Sequence, residues 1–192
     1  MRTLVNSTYI TLDGVIENPQ DWPSLGGFTD QGHQLQRELL EQCDAVLMGR
    51  HTYDGFAPVW SAMSGDPVSD RMNALPKYVV SNTLAEAAWG PATVLRGDPR
   101  ETVAALRSQP GRELQIHGSA RLGRSMLAAG LVDELRLVIA PVVVGAGRRL
   151  FTDGGAPAGL RLISNDSTPG GLTIQVYETT GAAAFGTYGV GA

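Results

Sequence analysis

Residues 113–130, ELQIHGSARLGRSMLAAG, decide the fold. Residues 113–117 read as a strand, and Gly118 breaks it. Residues 119–129 then place Leu122, Met126 and Leu127 at the spacing of one helical face, with Ser119 as a capping residue at the start. Gly130 follows as the left-handed cap that ends the helix, because a residue without Cβ takes positive φ at little cost. Strand, glycine and helix in that order are the unit of an α/β fold.

The same unit recurs upstream. Leu35, Leu39, Leu40 and Cys43 share one stripe of a helix over residues 33–43, and residues 45–48, AVLM, are a buried strand that ends at Gly49. A loop with Pro58, Gly65 and Pro67 leads to strands at 77–81 and 92–96. Asp98 and Pro99 open a helix: the carboxylate caps it, and the missing N–H of proline costs nothing at the first position. Val103 and Leu106 face inward, and Gln109-Pro110-Gly111 ends the helix.

Residues 3–12, rich in Thr, Val, Tyr and Ile, form a strand that stops at the turn Asp13-Gly14. The stretch 17–32 mixes Pro19, Trp22, Pro23, Gly26 and Gly27 without a period, and a loop of that length is a candidate wall for a binding site. Residues 135–144 and 172–178 are further strands, suggesting an antiparallel edge. The expected organisation is one domain over 1–180, with a mobile tail at 181–192.

The chain has 192 residues, 43% hydrophobic and 18% charged, which suits one core of substantial size. Its formal net charge of -4 offers no general attraction to nucleic acid or acidic membranes. The single cysteine, Cys43, excludes an internal disulfide framework, fits a reducing compartment and reads as a small buried residue. No apolar stretch reaches the length of a membrane span, so a soluble, cytoplasmic protein is expected. His33, His51, His117 and Cys43 are scattered without metal-ligand spacing, so no metal is expected.

Two loops carry the chemistry. In MGRHTY, residues 48–53, Gly49 lets a ligand approach the backbone, the helix start attracts phosphate oxygens and Arg50 adds a planar charged fork. A plain glycine turn followed by a surface arginine fits the spacing equally well. In IHGSARLGR, residues 116–124, Arg121 and Arg124 sit near a helix start, where cations are locally unfavourable unless an anion is present. Neither loop has the spacing of a dinucleotide GxGxxG fingerprint.

MGRHTY, together with the strand ending Val80-Ser81-Asn82, resembles the cofactor half of dihydrofolate reductases. The run GSARLGRSMLAAGLVDELRLVIAPVVVGAGRRLF, residues 118–151, resembles the dihydrofolate-reductase-like family that includes the reductase domain of the bifunctional riboflavin-biosynthesis deaminase-reductase, the RibD C-terminal domain. The resemblance runs from Leu4 to about Glu178. It implies a three-layer α/β fold with a mostly parallel central sheet and an antiparallel C-terminal edge, NADPH as hydride donor, and a homodimer.

By matching motifs, Gly49, Arg50, His51 and Thr52 meet cofactor phosphates, Ser81 and Asn82 the adenosine 2′-phosphate side, and Gly118, Ser119, Arg121 and Leu122 the pyrophosphate. Thr11-Leu12-Asp13-Gly14 resembles the segment whose aspartate lies by the substrate in the riboflavin reductases, which makes Asp13 the expected catalytic and substrate-holding carboxylate. Trp22, Tyr53 and Phe56 are expected to line the substrate, while Trp60 serves equally well as core.

Two departures stand out. The helix before MGR begins around His33, which leaves Asp30 one turn before the position where dihydrofolate reductases hold the pterin. The chain also carries no zinc-deaminase segment.

The implied function is hydride transfer to a C=N or C=O bond of a small heterocycle, with ribosyl-to-ribityl reduction of a phosphoribosylamino-pyrimidine as the family's best-known case. A non-catalytic NADP(H)-binding regulator and a reductase of an unrelated secondary metabolite stand as alternatives. For Pro141 to Gly147 two readings stay open, a turn near the pocket and a bulge at a subunit contact.

Overall fold

The computed structural model describes residues 1–22 and 30–186. Its strands are β1 (Thr3–Thr11), β2 (Cys43–Gly49), β3 (Lys77–Val80), β4 (Ala92–Leu95), β5 (Glu113–His117), β6 (Glu134–Ala140), β7 (Gly159–Ser167) and β8 (Thr173–Gly181). The helices are α1 (Asp30–Gln42), α2 (Arg50–Trp60), α3 (Pro67–Ala74), α4 (Pro99–Ser108) and α5 (Ala120–Ala128). Among the described residues no helix is long and apolar enough to cross a membrane.

The strands form one sheet in the order β4-β3-β2-β5-β1-β6-β8-β7. Pairing is parallel from β4 through β6, and β8 runs antiparallel to both β6 and β7. The expected mostly parallel sheet with an antiparallel C-terminal edge is therefore present.

Helices cover both faces, as the two-sided burial of the inner strands requires. Leu40, Tyr53, Val68 and Met72 of α1 to α3 pack on Val46, Met48 and Val79. On the opposite face Val103, Leu106, Leu122 and Met126 of α4 and α5 pack on Ala45, Leu47, Leu114 and Ile116. Alternate residues of β2 thus serve opposite layers, which gives the expected three-layer architecture.

The predicted caps hold where the local chemistry is self-contained. The Asp98 carboxylate accepts from the Arg100 N–H at 2.8 Å. Gly130 has φ 66°, its N–H reaches Leu127 O and the Leu131 N–H reaches Met126 O, both at 3.0 Å, the paired bonds of a Schellman cap.

Other boundaries need correction. Helix α1 begins at Asp30, three residues before His33, so Asp30 lies on the helix and not ahead of it. Helix α3 lies inside the expected loop, started by Asp66, whose carboxylate accepts from Val68 and Ser69, and by Pro67 at the first position. Pro58 sits within α2.

Strand β6 stops at Ala140, four residues before the expected end, because Pro141 has no N–H to continue the ladder. Strand β7 is an addition, mostly exposed and with a register shift between Leu162 and Ser164. In the expected tail, Gly181 closes β8, and 187–192 lie outside the described residues, as do Pro23, Gly26 and Gly27.

The connectivity builds a crevice. From β1 the chain skips one position, runs outward through β2, β3 and β4, and returns to fill the gap with β5. Ligands of open α/β sheets bind beyond the carboxyl ends of strands at such a switch point.

Candidate functional site

A cleft of about 1980 Å³ opens at this point. Single small-molecule pockets occupy roughly 300–1,000 Å³, so the space suits a dinucleotide with a second reactant beside it.

Two strand-to-helix turns form its floor. Gly49 precedes α2 and Ser119 precedes α5, and neither helix has a side-chain cap, whereas α3 and α4 are capped by Asp66 and Asp98. The first N–H groups of an uncapped helix are open donors with the positive end of the dipole behind them.

Ser119 does not cap α5, contrary to expectation. It takes a left-handed conformation, φ 55° and ψ 52°, and its hydroxyl crosses to the other turn. There Oγ accepts the Gly49 N–H at 3.1 Å and donates to Thr52 Oγ1 at 2.9 Å. Thr52 Oγ1 also accepts the Ser119 N–H at 3.2 Å. With these lone pairs occupied, the Thr52 hydroxyl proton is left to point elsewhere. Gly118, at φ 56°, is where a Cβ would meet the Thr52 methyl at 3.6 Å.

The remaining predicted cofactor residues also line the cleft: Arg50, His51, Ser81, Asn82, Arg121 and Leu122. Arg50 Nε is paired with both Asp54 oxygens at 2.6–2.7 Å, leaving the terminal guanidinium nitrogens for a ligand. His51 faces Glu17 at 3.7 Å, and Glu17 in turn binds Arg148 Nε at 3.0 Å.

Ser81 Oγ accepts from the Thr83 and Leu84 N–H groups, and Asn82 Oδ1 from the Gly97 N–H at 2.7 Å. Ser81 thus folds the loop after β3 on itself, and Asn82 ties that loop to the one after β4. Arg100, beside them in the cleft wall, is a further cation at this end.

The expected substrate residues divide. Phe56 lines the cleft, its ring tilted against Trp60 at 6.3 Å between centroids. Tyr53 does not line it: the ring is buried in the α1–α3 core and its hydroxyl accepts the Trp89 N–H at 3.0 Å. Trp22 is likewise packed against Val15, Val138 and Leu172, with Nε1 donating to Glu17 O at 2.9 Å.

Asp13 also needs correction, because it does not line the cleft. Its carboxylate accepts from the Thr11 hydroxyl at 2.6 Å, the Gly145 N–H at 2.9 Å and the Val144 N–H at 3.3 Å, with Arg149 at 3.4 Å. The Thr11 bond, followed by those backbone donors, holds its pKa down at about 2. A carboxylate this acidic is a poor proton donor near neutrality. The segment Pro141 to Gly147 is therefore a loop tied back onto the turn after β1.

Sequence spacing does not single out His117, which ends β5 in the cleft floor. Its Nε2 lies 3.0 Å from Gln115 Oε1. Burial pushes the imidazole down to about 4, so the ring is neutral at ordinary pH.

Residues 2–176 match the RibD C-terminal domain. The chain belongs to the RibD C-terminal domain family. The uncharacterized protein YyaP of Bacillus subtilis is 33% identical over 164 residues, covering 79% of this chain and 81% of the relative. The 2,5-diamino-6-ribosylamino-4(3H)-pyrimidinone 5′-phosphate reductase of Methanothermobacter thermautotrophicus is 30% identical over 182 residues, covering 76% and 81%. A solved structure of a candidate riboflavin biosynthesis protein from Shewanella sp. PV-4 superposes with a TM-score of 0.71 at 24% identity, over 93% of this chain and 99% of that one. That likeness shows the RibD C-terminal fold here.

Proposed function

We propose that this protein is an oxidoreductase that uses NADPH to transfer hydride to a C=N or C=O bond of a small heterocycle. The observation that carries the reading is the pair of uncapped helix starts, α2 and α5, joined through Ser119 and Thr52 at one crevice. Their open N–H groups match the charge of a pyrophosphate, and the stitch sets them at a fixed spacing.

In this reading Gly49, Arg50, His51 and Thr52 hold one run of phosphate oxygens, and Gly118, Ser119, Arg121 and Leu122 the pyrophosphate. The loop carrying Ser81 and Asn82, with Arg100 beside it, receives the adenosine 2′-phosphate. NADPH, when bound, supplies the hydride. The protein holds the two reactants face to face and keeps water out, and the Phe56 ring gives a flat substrate a surface to stack on. The proton that accompanies the hydride comes from solvent or substrate, since Asp13 is engaged elsewhere.

The Methanothermobacter relative is a reductase whose named substrate is a ribosylaminopyrimidinone phosphate, which favours a pyrimidine-type ring here, as in riboflavin biosynthesis. A homodimer belongs to the same reading: Leu160, Leu162 and Ile163 of β7 are 39%, 51% and 52% exposed, and a second copy would cover them.

The test is the melting temperature with NADPH, with NADH and alone, followed by loss of NADPH absorbance with pyrimidine, pterin and quinone acceptors. Saturation at 100 times the Kd adds about 2.7 kcal/mol. A larger rise with NADPH, followed by turnover, supports the reading. No rise with either nucleotide overturns it, and binding without turnover on every acceptor points to a regulator.

A further inference from the structure

A hydrogen-bonded ladder of polar groups crosses the face of the sheet beneath α1. Arg136, 7% exposed, forms an ion pair with both Glu113 oxygens at 2.8–3.0 Å and with Glu134. The Glu113 carboxylate also accepts from Gln115 Nε2 at 2.9 Å, and Leu39 O accepts from the same nitrogen at 2.8 Å. Gln115 Oε1 then faces His117 Nε2 at 3.0 Å.

This chain of partners determines where the imidazole proton sits. A carboxylate and a backbone carbonyl only accept, so the Gln115 nitrogen must face them and its oxygen must face His117. Turning the amide over would set an oxygen against two acceptors, in a side chain that is 0% exposed. An amide oxygen also only accepts, so His117 Nε2 carries the hydrogen. The neutral ring holds one such proton, which leaves Nδ1 as a bare lone pair. Nδ1 has no hydrogen-bond partner among the described residues, and the ring lies in the cleft floor between Ser7 of β1 and the glycine turn at Gly118.

We propose that Gln115 locks His117 as the Nε2-protonated tautomer, so that Nδ1 offers a hydrogen-bond acceptor to the cleft and selects a bound ring that carries an N–H donor. His117 is the ligand-contacting residue, and Gln115 is a positioning residue that acts through it. The ligand half rests on the reductase reading above; the tautomer half does not. An N–H of this kind is found on the carboxamide of a nicotinamide and on the ring amines of an aminopyrimidine.

Nitrogen-15 NMR of the ligand-free protein tests the tautomer directly, with His117 assigned among three histidines by its loss in His117→Asn. Expected at neutral pH are a protonated Nε2 and an unprotonated Nδ1, with Gln115→Met producing a mixture of both tautomers. A protonated Nδ1 in the wild type, or an unchanged tautomer in Gln115→Met, overturns the lock.

The second arm follows the Nδ1 resonance as probes are added, with the melting temperature reporting whether each has bound. Movement with NADP+ but not with its 3-acetylpyridine analogue, which lacks the amide N–H, identifies the carboxamide as donor. Movement only when 2,4-diaminopyrimidine joins bound NADP+, and not with 2,4-dimethylpyrimidine, identifies the substrate ring. In either case His117→Phe weakens the donor-bearing probe about two- to tenfold and leaves its donor-free counterpart unchanged. If NADP+ binds and Nδ1 moves with neither donor, the selection is overturned. If NADP+ does not bind, the reductase reading and the ligand half fall together, while the ligand-free spectrum still judges the lock.

Discussion

Replacing Ser119 separates two contributions that the structure assigns to one residue. Ser119→Ala keeps the left-handed backbone, φ 55°, but removes the bond from the Gly49 N–H at 3.1 Å and the bond to Thr52 at 2.9 Å. A net hydrogen bond is worth about 0.5–1.5 kcal/mol, so the expected destabilisation is about 1–3 kcal/mol. Ser119→Gly loses the same two bonds but relieves a backbone strain of about 1 kcal/mol. The stability order is therefore wild type, then glycine, then alanine, with about 1 kcal/mol between the variants.

Urea denaturation measures this directly, and at about 2–4 °C per kcal/mol for a domain of this size the alanine variant melts roughly 2–12 °C lower. NADPH affinity should fall alike in both, because each unties the α2 turn from the α5 turn. An alanine variant within 0.5 kcal/mol of wild type, or one more stable than the glycine variant, would show that the stitch does not carry the load assigned to it, 0.5 kcal/mol being the usual scatter of a neutral surface change.

Three further outcomes are expected. Arg100→Ala should weaken NADPH about tenfold and NADH much less, the loss of a charge-assisted phosphate contact, read by fluorescence titration; equal losses would place the 2′-phosphate elsewhere. Gly123→Ala puts a methyl 2.5 Å from Asn6 Nδ2 on a central strand, and overpacking of about 1–3 kcal/mol set against about 1 kcal/mol of gained helix propensity leaves a net loss of about 1 kcal/mol in urea; a more stable variant would mean that Asn6 yields. Asp13→Asn should keep hydride transfer yet lower stability at pH 7. Because the folded pKa, about 2, lies below the ordinary 3.8, the stabilisation is present above pH 4 and fades as pH falls toward 2. Melting curves should therefore converge in acid, and abolished turnover at pH 7 in a folded variant would return Asp13 to the chemistry.

What was legible in the sequence follows from how local each signal is. A short apolar run ending in glycine announces a buried strand because burial on both faces removes the polar alternation, and that sufficed for β2; β5, ELQIH, keeps its alternation and was legible from that period and the glycine that follows it. Helix α3 was hidden by Pro67, which reads as a loop marker although it sits at the first helical position. Strand β7 has no buried face to print a period on its residues, and its register shift breaks what alternation remains.

The two glycine turns were visible singly, but the bonds that join them span 67 and 70 residues of chain. Asp13 looked catalytic at a strand end because its partners Val144 and Gly145 lie more than 130 residues later. Tyr53 and Trp22 show that an aromatic ring near a site is read as wall or core only once its hydrogen-bond partner is known.

The place of β1 in the sheet has a consequence for biosynthesis. Its neighbours are β5 and β6, residues 113–140, so the first strand leaves the ribosome with nothing to pair with. At about 5–20 residues per second, roughly 5–20 s pass before a partner is made, and longer before it clears the exit tunnel. Throughout that interval the β-prone segment TLVNSTYIT of the nascent chain has no strand partner. The heaviest demand on chaperones therefore falls before β5 is made, and codon changes that slow the stretch before residue 113 should lower soluble yield without altering the finished protein.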